Sequence, residues 1–211
     1  MQTNRVLTDV DRALFQDRIA EMFRLLPDDM SRKIPEANVQ QAFVLSEVIK
    51  QYNAGKFFTL SVGCFEDTAY AYLKVKEAGM VGIDPAVNYD LRTYVQRTNK
   101  TYDVIFATSV LEHVTDDEQF IADMCTLLNK GGVGILTMDF KNDYKVGDPL
   151  PNTDVRFYTR YDLEVRLPKV LAKYGCELID EPDWSGKDNF VYQGHQYSFA
   201  TFVFRKTPDV Q

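Results

Sequence analysis

The spacing of apolar residues changes character along the chain. Over residues 8–55 it is helical: Ala13, Phe15, Ile19, Met22, Phe23 and Leu26 recur on one face, and Leu26-Pro27-Asp28-Asp29 stops the run. A second helix is predicted from Pro35 to Tyr52, grouping Val39, Phe43, Val44, Val48 and Ile49, and closing at Asn53-Ala54-Gly55. Such helices either pack on a sheet or, in the case of the first, cover a substrate. From residue 57 the texture is different. Phe57 to Val62 is a short β-rich run ending in Gly63, and a helix is predicted from Thr68 to Ala78. Met80 to Ile83 and Tyr102 to Ala107 read as buried strands with a helical stretch between them. Thr115-x-x-Glu118 is a capping box before Phe120, Ile121, Met124, Cys125 and Leu128. Lys130-Gly131-Gly132 is placed to end that helix, and Val133 to Met138 follows as a strand.

Continuous apolar strands alternating with helices predict a doubly wound α/β fold, its parallel sheet covered on both faces. The tail departs from this. Thr159 to Tyr174 reads as helix, Cys176 to Ile179 as strand, and Tyr197 to Phe204 alternates strongly. The last two strands have no room between them for a crossover helix, so they should run antiparallel. Residues 1–55 are expected to form a helical segment packing on a core of residues 56–211, one domain overall.

Composition narrows the function. The 211 residues carry 24 Lys and Arg against 31 Asp and Glu, a net charge of −7, which disfavours a nucleic acid backbone or an anionic lipid surface as partner. No apolar run approaches membrane-spanning length, and the first residues lack a signal-peptide core. Cys64, Cys125 and Cys176 are an odd, widely spaced set, and only His113 and His195 add imidazole. A disulfide framework and the usual metal clusters are therefore not expected, and a reduced, cytoplasmic protein is. Aromatic residues reach 13% (14 Phe, 12 Tyr, one Trp), enough for some rings to line a site.

In an open parallel sheet, ligands bind beyond the carboxyl ends of the strands. Those ends here are Ser61-Val62-Gly63-Cys64-Phe65-Glu66, Ile83-Asp84-Pro85, Ala107-Thr108-Ser109 and Met138-Asp139-Phe140. Gly63 allows close backbone approach to a ligand, and the next helix offers free N–H groups. Asp84 is placed to accept hydrogen bonds from a ribose diol, although an Asp before Pro also suits a helix cap. Together at this spacing they point to an adenosine-type ligand.

With Ser109-Val110-Leu111-Glu112-His113-Val114 and Leu127-Leu128-Asn129-Lys130-Gly131-Gly132, these segments resemble the core of the class I S-adenosylmethionine-dependent methyltransferases of small-molecule type. The resemblance implies a Rossmann-like, mostly parallel seven-stranded sheet with an antiparallel C-terminal strand pair. It implies S-adenosylmethionine as cofactor and S-adenosylhomocysteine as product. Gly63, Cys64 and Phe65 would meet the methionine part, Asp84 the ribose, and Ser109 and Val110 the methionine or sulfonium, with Ser61 and Pro85 completing the set. Two departures stand out. The family's first motif opens with an acid and has two or three glycines, whereas this chain has Ser61 and only Gly63, leaving Glu66 as the nearest replacement acid. The stretch from Asp84 to Asp103 is also too short for a helix and the family's third strand, so the adenine partner is unassigned.

An oxygen nucleophile benefits from a general base, and His113, just past a strand end, is the candidate, or else packs under the following helix. Glu112 would pair with it or face solvent. The polar loop from Asp139 to Tyr158 would cover the acceptor. In it Asp139 or Asp143 would act as base or bind sugar hydroxyls, Arg156 would hold a phosphate or carboxylate, and Tyr144 and Tyr158 would contact substrate. A second patch, Trp184, Phe190, Tyr192, His195 and Tyr197, suits stacking on a sugar or simple packing. The loop is similar to those of methyltransferases of bacterial polysaccharide or glycan pathways. The expectation is methyl transfer to an oxygen of a small-molecule or glycan acceptor. The alternatives are an N- or C-methyltransferase, a non-catalytic member that binds cofactor or partner, and an NAD-dependent reductase.

Overall fold

The computed structural model describes residues 2–76, 79–187 and 189–208. A short strand β1 (Val6–Leu7) precedes helices α1 (Asp9–Leu14), α2 (Gln16–Leu25), α3 (Pro27–Arg32) and α4 (Asn38–Asn53). Then follow β2 (Thr59–Val62), α5 (Thr68–Val75), β3 (Met80–Ile83), α6 (Leu91–Arg97), β4 (Tyr102–Thr108), α7 (Asp117–Leu127) and β5 (Leu128–Phe140). The tail supplies α8 (Leu167–Lys173), β6 (Cys176–Leu178), β7 (Phe190–Tyr192) and β8 (His195–Lys206). The strands lie in the order β1-β8-β5-β4-β2-β3, with β6 and β7 also paired to β8. The pairs β3–β2, β2–β4 and β4–β5 are parallel, and every partner of β8 is antiparallel to it.

This is the mixed α/β sheet the sequence predicts, with additions. β1 makes the sheet eight-stranded and pairs Val6 with Ala200 and Leu7 with Phe199. Two residues carry too little pattern to announce a strand. The predicted first helix is broken in two, Phe15 sitting at φ −94, ψ 7 between α1 and α2, and at its predicted stop Pro27 opens a further helix, α3, at its first turn. Helix α5 ends at Val75, and Ala78, the predicted end, lies outside the described residues. The cap of α7 is Asp116 rather than Thr115, its side chain accepting from Gln119 N at 3.0 Å. Gly131 and Gly132 do not stop α7; they lie inside β5, with Gly131 at φ +74 beside a register shift opposite Tyr102 and Val104. Among the described residues, no strand separates α6 from β4, so β3 is the sheet's edge.

Two apolar layers sandwich the sheet. On one face Ile105, Leu136, Met138 and Phe202 pack with Phe120, Ile121, Met124 and Leu171 of α7 and α8. On the other, Val104, Phe106, Ile135 and Val203 pack with Met22, Phe43, Val44 and Tyr72 of α2, α4 and α5. Trp184 is buried with its Nε1 donating to Thr201 O at 3.0 Å. Tyr197 is likewise buried, its ring 4.9 Å from Phe157 and 4.4 Å from Phe190. Those rings of the second aromatic patch are core.

Candidate active site

A cavity of about 880 Å³ opens at the carboxyl ends of β2, β3 and β4. Its floor is the β2–α5 turn. Gly63 adopts φ +79, and a Cβ there would stand 2.4 Å from Val110 Cγ2, so only glycine lets the two loops meet. The N–H groups of Gly63 and Cys64 both donate to Ile83 O, at 2.8 and 3.1 Å, drawing this turn against the end of β3. Asp84 follows immediately. Its carboxylate accepts from Phe65 N at 3.2 Å and Ala86 N at 2.7 Å, which fixes both oxygens and leaves lone pairs toward the cavity.

The wall after β4 is also fixed from two directions. Ser109 holds φ +51, donates its N–H to Thr137 O at 3.1 Å and its hydroxyl to Gln40 Oε1 at 2.9 Å. Gln40 and its neighbour Gln41 come from buried positions on α4, and Gln41 Oε1 accepts from Ala69 N at 3.1 Å. Both glutamines line the cavity with Lys33 and Ala37, so the N-terminal helices build one wall. Helical periodicity alone gave no sign of this, because Gln40 and Gln41 read as polar positions beside an apolar face. Of the predicted cofactor residues, Gly63, Phe65, Asp84, Pro85, Ser109 and Val110 line the cavity, whereas Ser61 and Cys64 are buried behind it. Leu91 from α6 and Gln119 and Phe120 from α7 complete the lining.

His113 lies on the cavity wall, in a tight turn over Leu111–His113. Its Nδ1 is 3.1 Å from Asp154 Oδ1 and 3.3 Å from Thr153 O, contacts made by the loop that follows β5. The bond to Asp154 raises the imidazole pKa above its ordinary value; burial opposes this, and the Asp139 charge adds to it. Behind His113, Glu112 is 1% exposed, and burial, with the Asp154 charge, pushes its carboxyl up to about 8. Asp139 is buried beside it and is also raised, by burial first and then by the Glu112 and Asp154 charges, while the Tyr197 hydroxyl opposes the rise. Three carboxyls thus share one enclosed space, and Glu112 Oε2 and Asp154 Oδ2 have no hydrogen-bond partner there. Burial and like charge this close keep protons on Glu112 and Asp139.

The remaining loop residues stand apart from the cavity. Asp143 is 80% exposed on its side chain and pairs with Lys141 at 3.3 Å. Tyr144 packs edge-on against Phe157 at 5.7 Å. Arg156 donates to Asp117 Oδ2 and Thr115 O, both at 2.9 Å. Tyr158 is fully buried and donates to Asp117 Oδ2 at 2.9 Å, with Leu111 O at 3.1 Å. Arg166 completes the group, reaching both Asp117 oxygens at 3.0 and 2.7 Å. Burial alone would raise the Asp117 pKa, but Arg166 and Arg156 hold it below the usual carboxylate value. The structure therefore brings His113, Glu112 and Asp139 together, and gives Arg156 and Tyr158 to an anchor beneath the loop. Among the described residues no group of three or more His, Cys, Asp or Glu is arranged to hold a metal ion, and no helix is long and apolar enough to cross a membrane.

Comparison with known proteins agrees with this geometry. No curated protein matches the sequence. The fold is similar to 1,6-didemethyltoxoflavin-N1-methyltransferase of Burkholderia thailandensis, solved with its substrate and S-adenosylhomocysteine: TM-score 0.54, 12% identity, covering 94% of this chain and 89% of that one. It is also similar to TehB from Haemophilus influenzae, with TM-score 0.50 and 16% identity over 77% of this chain, which spans 62% of TehB. Residues 15–181 match the methyltransferase-domain family model, and the chain belongs to that family, the class I S-adenosylmethionine-dependent methyltransferases.

Proposed function

We propose that the protein transfers a methyl group from S-adenosylmethionine to an oxygen of a small polar acceptor, such as a sugar or glycan intermediate, with His113 as general base. The observation that carries the reading is His113 itself, on the cavity wall with its Nδ1 facing Asp154 at 3.1 Å. The cofactor fits the residues present: the Gly63 cradle would be filled by any Cβ, and the Asp84 oxygens are fixed for hydroxyls. When bound, it supplies an electrophilic methyl on sulfonium for in-line displacement, so alignment and exclusion of water govern the rate.

In this scheme Asp84 holds the ribose hydroxyls, and Gly63, Phe65, Pro85, Ser109 and Val110 shape the space around the ligand. The second nitrogen of His113 takes the acceptor proton while Asp154 fixes the ring. Glu112 and Asp139 act behind His113 rather than on the acceptor. Arg156 is held by Asp117, so no anchored phosphate is required of the acceptor, which favours an uncharged hydroxyl. Three free, buried cysteines suit a reduced, cytoplasmic setting.

Calorimetric titration with S-adenosylmethionine, S-adenosylhomocysteine and NAD tests the cofactor, and absence of binding by both sulfur compounds would remove the reading. In His113→Ala, turnover should fall by about a hundredfold while affinity for S-adenosylhomocysteine stays within about twofold. Unchanged turnover would return His113 to a packing role. A screen of sugars and glycan intermediates for methylated product identifies the acceptor.

A further inference from the structure

We infer that Asp67, with the Thr108 hydroxyl beside it, holds the α-ammonium group of the cofactor and so replaces the acid that position 61 lacks. The inference rests on the cofactor reading above. Asp67 is the N-cap of α5, and its Oδ1 accepts from Tyr70 N at 2.7 Å. The other oxygen, Oδ2, has no hydrogen-bond partner, although the residue is only 4% exposed and lines the cavity. Thr108 Oγ1, two residues past the Ser61–Phe106 pairing of β2 and β4, is buried without a partner too, and its residue lines the same wall. A half-satisfied buried carboxylate is expensive, so a donor belongs there.

The chemistry of that donor follows from what the cavity takes. S-adenosylmethionine carries two cationic centres, and the sulfonium has no N–H or O–H to give. Of these two centres only the ammonium offers donors, three of them, to a carboxylate oxygen and a hydroxyl, and the ribose hydroxyls, which also donate, are given to Asp84 in the scheme above. The topology agrees, since Asp67 lies in the turn after β2 and Thr108 ends the paired β4, whereas Asp84 starts the β3–α6 connection, and all three line the cavity. Neither position 61 nor the other acid of the turn competes. Ser61 is uncharged and lies behind the wall, and Glu66 is half exposed with Arg32 at 3.9 Å. Burial keeps the Asp67 carboxyl above its ordinary pKa, outweighing the Tyr70 N–H, the neighbouring Thr108 hydroxyl and the Lys33 charge, which all favour the carboxylate. A bound ammonium would reverse that shift. The acid has in effect moved six positions along the same turn, from strand end to helix cap.

Asp67→Asn tests this, because Asn also caps helices and keeps α5 formed. Binding is measured by calorimetry for S-adenosylhomocysteine and for 5′-methylthioadenosine, which lacks the amino-acid part. The variant should lose roughly ten- to a hundredfold in affinity for the first and hold the second within about twofold. Thr108→Val should show a smaller loss with the same selectivity. Equal loss for both ligands would mean that Asp67 only shapes the turn, and no loss would mean that the ammonium sits elsewhere; either overturns the assignment. If the unaltered protein binds neither ligand, the cofactor reading falls first and the assignment with it.

Discussion

Asp154 sets the charge on His113, and therefore the pH at which that ring can take a proton. The bond between them raises the imidazole pKa, so the neutral base becomes abundant only above its ordinary value of 6.5. Asp154→Asn removes that anchor, leaving the Thr153 carbonyl and the Asp139 carboxyl to act on the ring. The acidic limb of kcat/KM against pH should then move to lower pH. A loss of rate with an unmoved limb would make Asp154 purely structural. That Gly63, Asp84 and His113 gather at one cavity was legible from sequence because strand ends announce themselves by the residues that follow. Asp154 was not, because it reaches His113 through a loop some forty residues downstream, and Gln40 meets Ser109 from 69 positions upstream. Glu112 was read as a partner of His113 or a solvent-facing group; its burial depends on Val155 N donating to Glu112 O at 2.9 Å, a contact between distant segments.

At the scale of elements, Asp117 is where α7, the loop and the approach to α8 are joined. Residues 162–166 wind as a π-helical turn, and this turn carries Arg166 to Asp117 alongside Arg156 and Tyr158. Asp117→Asn would leave two guanidinium groups without their shared counter-charge. Breaking a buried pair from one side costs about 3 kcal/mol or more. Tm should drop by roughly 6–12 °C at this chain length. A drop of less than about 2 °C would show that solvent replaces the contact. The apolar pattern revealed the strands and helices of the parallel half because each is a continuous run with a clear stop. It misplaced the end of α7 because Gly131-Gly132 marks a bulge in β5 as readily as a helix cap. It missed β1 because two residues become a strand only through their partners on β8.

For the whole molecule, the enclosed carboxyls give stability a definite dependence on pH. Glu112 is raised to about 8 from an ordinary 4.5, so between these values the folded chain holds a proton that the unfolded chain releases. Stability must fall as pH rises through that window. His113 has the same sign: its pair with Asp154 stabilises fully below pH 6.5, and the contribution is lost as pH rises through the raised folded value. Asp117 is the counterweight, with a depressed pKa, contributing above 3.8 and losing that contribution as pH falls through the folded value. Thermal melts should therefore peak at mildly acidic pH and decline toward pH 8, and Glu112→Gln should flatten the decline. An undiminished slope in that variant would place the titration elsewhere.

The loop from Asp139 to Tyr158 begins and ends at the same place. Lys141 N donates to Tyr158 O, and Tyr158 N donates to Asp139 O, both at 2.9 Å, so its two feet are stitched into one backbone bridge. Between them, residues 142–149 are mostly exposed and contribute little to either apolar layer. With the closure already made, lengthening the intervening chain is cheap, about 0.6 kcal/mol for each doubling. Residues 142–149 can therefore be lengthened or rewritten with little strain on the sheet or on the two layers that sandwich it.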